Sequence, residues 1–396
     1  TLYTTATLGG YGETLLFGNI LLWIALRLTA NGSRFGWVLL GFVAGLAFYT
    51  FGLILVYLIP IAAWLLLKYR LRAWRRYALA LIGFAIGSAP WWLSITQLGG
   101  SLLAELSGSA VAGTVAARGE AAGLALRLIN FFVFGVSALF GLRYPWSAEP
   151  IFPIAGIAVA TIYIGALVVS LRRGPRLLWG MIGVLLITFL ITPFGGDPSG
   201  RYFLPLYLPL SIFAAVAMAR LKDRLAGWRV GLLIGLIVSY NLSGVALAAM
   251  RVPPGITTQF DSVTWLDKSR DQALIDFLLA HGETRGYSNY WVAYPIAFLS
   301  DEQIVSSAQL PYHLDLRYTR RDDRYPPYAQ AVAESPRAFF ITTNHPPLDA
   351  LIHKRLTGLG VTFEEAAIGN YHVFYGLSRK VEPDEIGLGD TSQGDG

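Results

Sequence analysis

The sequence predicts a polytopic α-helical membrane protein of about eight spans followed by a C-terminal extracytoplasmic α/β domain. Three observations predict it. Of the 396 residues, 54% are hydrophobic and 14% charged, with a mean hydropathy of +0.51, whereas a soluble domain carries about 25% charged residues. Apolar runs matching the roughly 20 residues that cross a bilayer recur through the first part of the chain. Charge then reverses: residues 1–249 hold 18 Lys+Arg against 6 Asp+Glu, and residues 250–396 hold 13 against 19.

The apolar runs fall at 11–28, 77–98, 151–171, 177–194, 202–219 and 230–249. A longer run, Phe35–Leu67, exceeds one span and divides at Thr50-Phe51-Gly52 into helices near 36–49 and 52–67. Cytoplasmic loops retain Lys and Arg, so the first span is read as running from outside to inside. Arg27, Arg34, Lys68, Arg70, Arg72, Arg75, Arg76, Arg172, Arg173, Arg176, Arg220, Lys222, Arg224 and Arg229 then fall inside, and only Arg118, Arg127, Arg143 and Arg201 outside. That parity requires Leu124–Leu142 to lie in the outer interface, within a loop from about 99 to 150. Trp37, Trp74, Trp91, Trp92, Trp146, Trp179 and Trp228 sit near span ends, as an aromatic belt would. The Gly-xxx-Gly spacings Gly41/Gly45, Gly83/Gly87 and Gly231/Gly235 predict close helix contact.

Three segments follow from these boundaries: a transmembrane domain over 1–250, an extracytoplasmic α/β domain over 251–381, and an acidic, Gly-rich tail over 382–396 expected to be disordered. In the α/β domain, Asp271–His281 and Leu348–Leu359 read as helices, and Gln303–Ser306, Ala338–Thr342, Val361–Ala366 and Tyr371–Leu377 as strands. Tyr290, Trp291 and Tyr294 could stack on a sugar but are read as core. There is no cysteine, which excludes disulfides and thiolate metal sites. The five histidines lack zinc-ligand spacing, and no Walker loop, dinucleotide fingerprint or Gly-x-Ser-x-Gly elbow occurs. Basic clusters interleaved with apolar runs favour a membrane surface over nucleic acid, and no nucleic-acid partner is expected.

Ionisable groups at membrane depth are costly and so are functional candidates. Glu13, in Gly9-Gly10-Tyr11-Gly12-Glu13, stands at the outer end of the first span. The second candidate is Pro193-Phe194-Gly195-Gly196-Asp197-Pro198-Ser199-Gly200-Arg201-Tyr202. There the Arg201 fork suits phosphate oxygens, and the alternative is a snorkelling arginine paired with Asp197.

Leu8–Leu16 with Gly41–Phe51 and the Pro60 helix resembles the central part of bacterial GT-C glycosyltransferases, the group of protein O-mannosyltransferases and aminoarabinose transferases. Arg201-Tyr202-Phe203-Leu204-Pro205-Leu206-Tyr207 is similar to the Arg-Tyr-Leu-Leu-Pro motif of that group. Tyr290–Tyr294, Phe298–Glu302 and Arg324–Pro327 resemble the outer domain of some members. The resemblance implies transfer of a sugar from a polyprenyl-phosphate donor to a glycan, lipid or protein acceptor, with inversion, at the outer face of the plasma (inner) membrane. It implies substrate binding by Asp197, Arg201 and Tyr202, with Arg201 supporting the phosphate leaving group and Glu13 as a catalytic acid near the site. It places the family's first span and first outer loop, with the usual base, ahead of residue 1, and leaves a divalent metal requirement open. The alternative class is a transporter or lipid-carrier flippase, which would show repeats and broken helices.

Overall fold

The computed structural model describes residues 10–98, 123–171, 174–251, 262–316, 318 and 322–388. Residues 99–122 of the expected outer loop, the linker after Arg251 and the last eight residues lie outside the described residues. The chain divides into two compact units, Thr1–Ala248 and Ala249–Gly396.

In the first unit, apolar sequence folds into helices because each must satisfy its main-chain polar groups internally. These are α1 (Tyr11–Asn31), α2 (Arg34–Thr50), α3 (Leu55–Tyr69), α4 (Trp74–Gly87), α5 (Ala89–Leu98), α6 (Leu124–Ile129), α7 (Val136–Leu139), α8 (Pro153–Leu171), α9 (Arg176–Ile191), α10 (Tyr207–Arg224) and α11 (Gly227–Arg251). Five stretches are long and apolar enough to cross a membrane: Tyr11–Thr29, Gly52–Tyr69, Pro153–Ser170, Arg201–Arg224 and Gly227–Met250. The other three expected spans are shorter. Arg34–Thr50 and Arg176–Ile191 stop at 17 and 16 residues. The expected 77–98 span breaks at Ser88, where the Ser88 hydroxyl bonds the Phe84 carbonyl and Pro90 follows, a residue that removes a helix donor. The stretch expected as one helix over Leu124–Leu142 holds a π segment, Asn130–Gly135, between α6 and α7.

Two of the three glycine pairs do bring helices together. A Cβ built on Gly41 would meet the Ala80 carbonyl oxygen at 1.8 Å, and one on Gly45 would meet that of Phe84 at 2.2 Å. From the other side, a Cβ built on Gly83 would meet the Val38 carbonyl oxygen at 2.2 Å, and one on Gly87 that of Phe42 at 2.1 Å. Helices α2 and α4 therefore run side by side in parallel at backbone contact. Gly231 and Gly235 meet nothing within 4 Å, so that expected contact is not formed among the described residues. Trp37 is likewise no belt residue. It is 1% exposed, packed edge-on against Tyr69 and Tyr77.

Connectivity and side-chain ties collect the basic residues at one end of this unit. The Tyr69 hydroxyl donates to the Leu28 carbonyl, and Arg220 reaches the Val169 carbonyl. The starts of α2, α4 and α11 and the ends of α1, α3 and α10 thus share the end that carries Arg27, Arg34, Lys68, Arg70, Arg72, Arg75, Arg76, Arg220, Lys222, Arg224 and Arg229.

The second unit holds a five-stranded mixed sheet in the order β2-β1-β3-β5-β4. Its elements are α12 (Asp271–Ala280), β1 (Arg285–Tyr287), α13 (Tyr290–Leu299), β2 (Val305–Ser307), α14 (Pro326–Glu334), β3 (Phe339–Thr343), α15 (Pro346–Gly358), β4 (Glu364–Ile368) and β5 (Tyr371–Tyr375). Strand β1 pairs parallel with β2 and β3, while β5 pairs antiparallel with β3 and β4. Gly369, at φ 61°, closes the β4–β5 turn in the left-handed region that glycine tolerates. Apolar layers lie on both faces: Phe340, Leu348, Ile352 and Phe374 on one, and Leu274, Val292, Ile296 and Phe339 on the other. The expected tail begins too early. Glu382–Ile386 forms a capped turn in which Glu382 and Glu385 cap each other, and Ile386 and Leu388 are buried in the core.

Candidate functional site

At the end of the first unit opposite the basic cluster, the Pro193–Tyr202 segment folds as two 3₁₀ pieces, Pro193–Gly196 and Arg201–Leu206, joined by a turn. Asp197 shapes that turn by accepting a hydrogen bond from the Ser199 amide at 2.7 Å, an Asx turn. Gly200 sits at φ 80°, and a Cβ there would meet the Ala138 Cβ at 2.7 Å, so both conformation and space demand glycine. Beneath the turn, Phe131, Phe189 and Phe203 form a buried aromatic floor with ring centroids 4.8–5.6 Å apart.

Three arginines from separate sequence regions converge on this turn. Arg201 pairs with Asp197 at 2.6 Å, and its guanidinium lies 5.0 Å over the Tyr202 ring. Arg127 donates to the Leu190 carbonyl at 2.7 Å and lays its methylene stem against Gly195. Its buried Nε has no partner among the described residues. Arg143 is 5% exposed and donates to the carbonyls of Phe134, Tyr144, Ser147 and Pro198. The Asn130 amide donates to the Gly195 carbonyl at 2.9 Å. The work divides accordingly. Arg143 and Asn130 spend their donors on main-chain carbonyls and fix the turn, while Arg127 bonds a single carbonyl and Arg201 pairs with Asp197.

The expected trio Asp197, Arg201 and Tyr202 is therefore brought together. Glu13 shares this end of the unit, because Tyr11 and Leu204 pack in one cluster, but it does not join the trio's side. It lies two residues from Tyr11, close to opposite on a helix of 3.6 residues per turn, and is exposed. Sequence reasoning noted Arg127 and Arg143 only as outer charges. Their role depends on carbonyls 55 and 63 residues away, which no local spacing reveals.

In the second unit the aromatics read as core sit at its margin, with Trp291 packed against the core around Val292 and Ile296. Val292, Ala293, Ile296 and Ala297 form the buried face of α13, while Tyr290, Trp291 and Tyr294 are half-buried. Tyr290 carries the Arg324 guanidinium 4.7 Å over its ring. Tyr328, hydrogen-bonded to Glu302, has its hydroxyl pushed up to about 12 by burial first and that carboxylate second. Burial raises the Asp323 carboxyl above the usual range, against hydrogen bonds from Ser307 and Gln309. Among the described residues no group of three or more His, Asp or Glu is placed to hold a metal ion.

A scan against protein-family models finds no match, and searches of curated proteins and of solved structures likewise return none.

Proposed function

We propose that this chain acts in a polyprenyl-phosphate-dependent glycosyltransferase that moves a sugar to a glycan, lipid or protein acceptor at the outer face of the plasma membrane. One observation carries the reading: Arg127, Arg143 and Arg201 gather on a single glycine-lined turn at the end of the apolar unit remote from the basic cluster. Arg143 fixes the turn through main-chain carbonyls, which leaves Arg201, paired with Asp197, and Arg127 as the cations placed to meet a phosphate.

In the reaction, an acceptor hydroxyl oxygen bonds to the sugar's anomeric carbon as the carbon–oxygen bond to phosphate breaks. The leaving phosphate keeps that electron pair. Arg201, with Arg127 against the same Pro193–Tyr202 segment, offsets the charge that develops on the phosphate oxygens, and such preorganised donors are worth roughly 10²–10³ in rate. The acceptor's proton passes to a base that the motif resemblance assigns to the family's first outer loop. The polyprenyl tail would lie along the apolar helices, with the Asp197 salt bridge holding the guanidinium until phosphate arrives.

The test is transfer from a radiolabelled polyprenyl-phosphate sugar by the purified protein in liposomes. Arg201→Ala should lower turnover by about 100-fold, with Arg201→Lys intermediate because a point charge replaces a fork. Unchanged turnover in Arg201→Ala would remove the phosphate role. Movement of the labelled lipid across the bilayer without transfer would favour the flippase class instead.

A further inference from the structure

We propose that the elbow between α3 and α4, residues Leu67–Arg76, binds the headgroup of an anionic phospholipid. The inference rests on the membrane reading above but not on sugar transfer. This decapeptide holds Lys68, Arg70, Arg72, Arg75 and Arg76 and no acid. Lys68, Arg70, Arg72 and Arg75 are exposed, so the charges face outward from the fold rather than being absorbed by it.

The elbow is a fixed scaffold. The Tyr77 hydroxyl bonds the Arg70 carbonyl at 3.0 Å, and the Tyr69 hydroxyl bonds the Leu28 carbonyl at 3.0 Å. Buried Trp37 packs edge-on against both tyrosines, with centroids 5.6 Å away. Arg70 itself occupies φ 53°, ψ −174°, a region that suits glycine and strains any other residue. A turn selected for backbone geometry alone would carry glycine there, so the arginine side chain compensates for its conformation.

Aromatic rings hold the cations in place: Lys68 lies 5.7 Å over Trp64, Arg76 5.2 Å over Tyr69 and Arg75 5.5 Å over Trp74. Between them Leu67, Leu71 and Trp74 are 80%, 77% and 64% exposed. Cations alternating with bare apolar side chains match a surface where phosphates and acyl chains meet. A free phosphate ion would leave those apolar groups in water, which is why the occupant is taken to be a lipid.

Native mass spectrometry and tryptophan quenching test this on the full chain in nanodiscs, either of pure phosphatidylcholine or of phosphatidylcholine mixed equally with phosphatidylglycerol. The wild type should retain phosphatidylglycerol preferentially, and brominated phosphatidylglycerol should quench its fluorescence. The triple variant Arg70→Gln, Arg72→Gln, Arg75→Gln should lose at least about tenfold of that preference, since each interfacial cation contributes substantially to anionic-lipid attraction. Arg70→Gly separates charge from folding: its thermal midpoint should rise as strain is relieved while phosphatidylglycerol retention falls. Equal retention of the two lipids by the wild type, an unchanged preference in the triple variant, or displacement of the lipid by inorganic phosphate would each overturn the assignment. Alkaline carbonate extraction reads the membrane premise separately. Release of the wild type would defeat the premise, whereas a wild type that stays in the membrane without lipid preference defeats the headgroup site alone.

Discussion

Asp197 carries two bonds that can be separated, and its substitutions therefore discriminate between roles. One carboxylate oxygen accepts from the Ser199 amide and shapes the turn, and the other pairs with Arg201. Asp197→Asn keeps an acceptor for the amide and removes the competing anion, so polyprenyl phosphate binding should tighten severalfold. Asp197→Ala loses both bonds, and the same binding assay should show weaker association. If the two variants move affinity in the same direction, the turn and the ion pair do not act separately. At this scale the sequence was informative where chemistry is local. The Gly-Asp-Pro-Ser-Gly-Arg run offered the Asp197–Arg201 pair as one of two readings, and the structure forms it. The fully engaged Arg143 was not legible, because its acceptors are main-chain oxygens that any residue could supply.

Glycine pairs on helices were legible as spacing but not as contact. Gly41/Gly45 and Gly83/Gly87 meet each other's backbones, whereas Gly231/Gly235 face open space. A leucine at Gly41 must push α4 away, and overpacking of this kind costs about 1–3 kcal/mol or more. Gly41→Leu should therefore lower the thermal midpoint in detergent by several degrees, while Gly231→Leu should leave it within about 1 °C of wild type if that face meets only lipid. Equal losses from the two substitutions would contradict the packing described.

Element boundaries missed by the sequence have physical causes too. The three-residue strand β1 is too short to show alternation, α13 carries Pro295 inside it, and the expected 77–98 span read as continuous because hydropathy does not register a break at Ser88. In the second unit, α15 is fastened to the sheet by Glu365, whose carboxylate bonds His353 at 2.5 Å and His372 at 2.7 Å. Burial pushes this carboxyl upward, yet the two histidine hydrogen bonds outweigh that and hold it below the usual glutamate value of 4.5. A carboxyl depressed in the folded state contributes stability above its unfolded value, and the contribution disappears as pH falls through the folded one. Hydrogen exchange over 364–375 should show stronger protection in wild type than in Glu365→Gln above pH 4.5, with the gap closing on acidification. A gap independent of pH would mean that the clasp is steric.

Across the whole molecule, the division into an apolar helical unit and a mixed α/β unit was legible from charge and hydropathy, because both are sums over many residues. The number of crossing helices was not. A span requires continuous helical length as well as apolar composition, and α2, α4, α5 and α9 fall short of the length of the five longer stretches. What ties the parts into one functional reading is the proposed sidedness, which puts the arginine turn outside and the basic elbow inside. The natural absence of cysteine makes that directly measurable. Single cysteines placed at Arg72, at Glu149 and at Gln330 can be labelled in intact cells with a membrane-impermeant maleimide. Glu149 neighbours Ser147, whose carbonyl Arg143 holds together with that of Pro198. Labelling of Glu149→Cys and Gln330→Cys in intact cells, with Arg72→Cys reacting only after lysis, is the expected result. Labelling of Arg72→Cys in intact cells while the other two stay protected would contradict it.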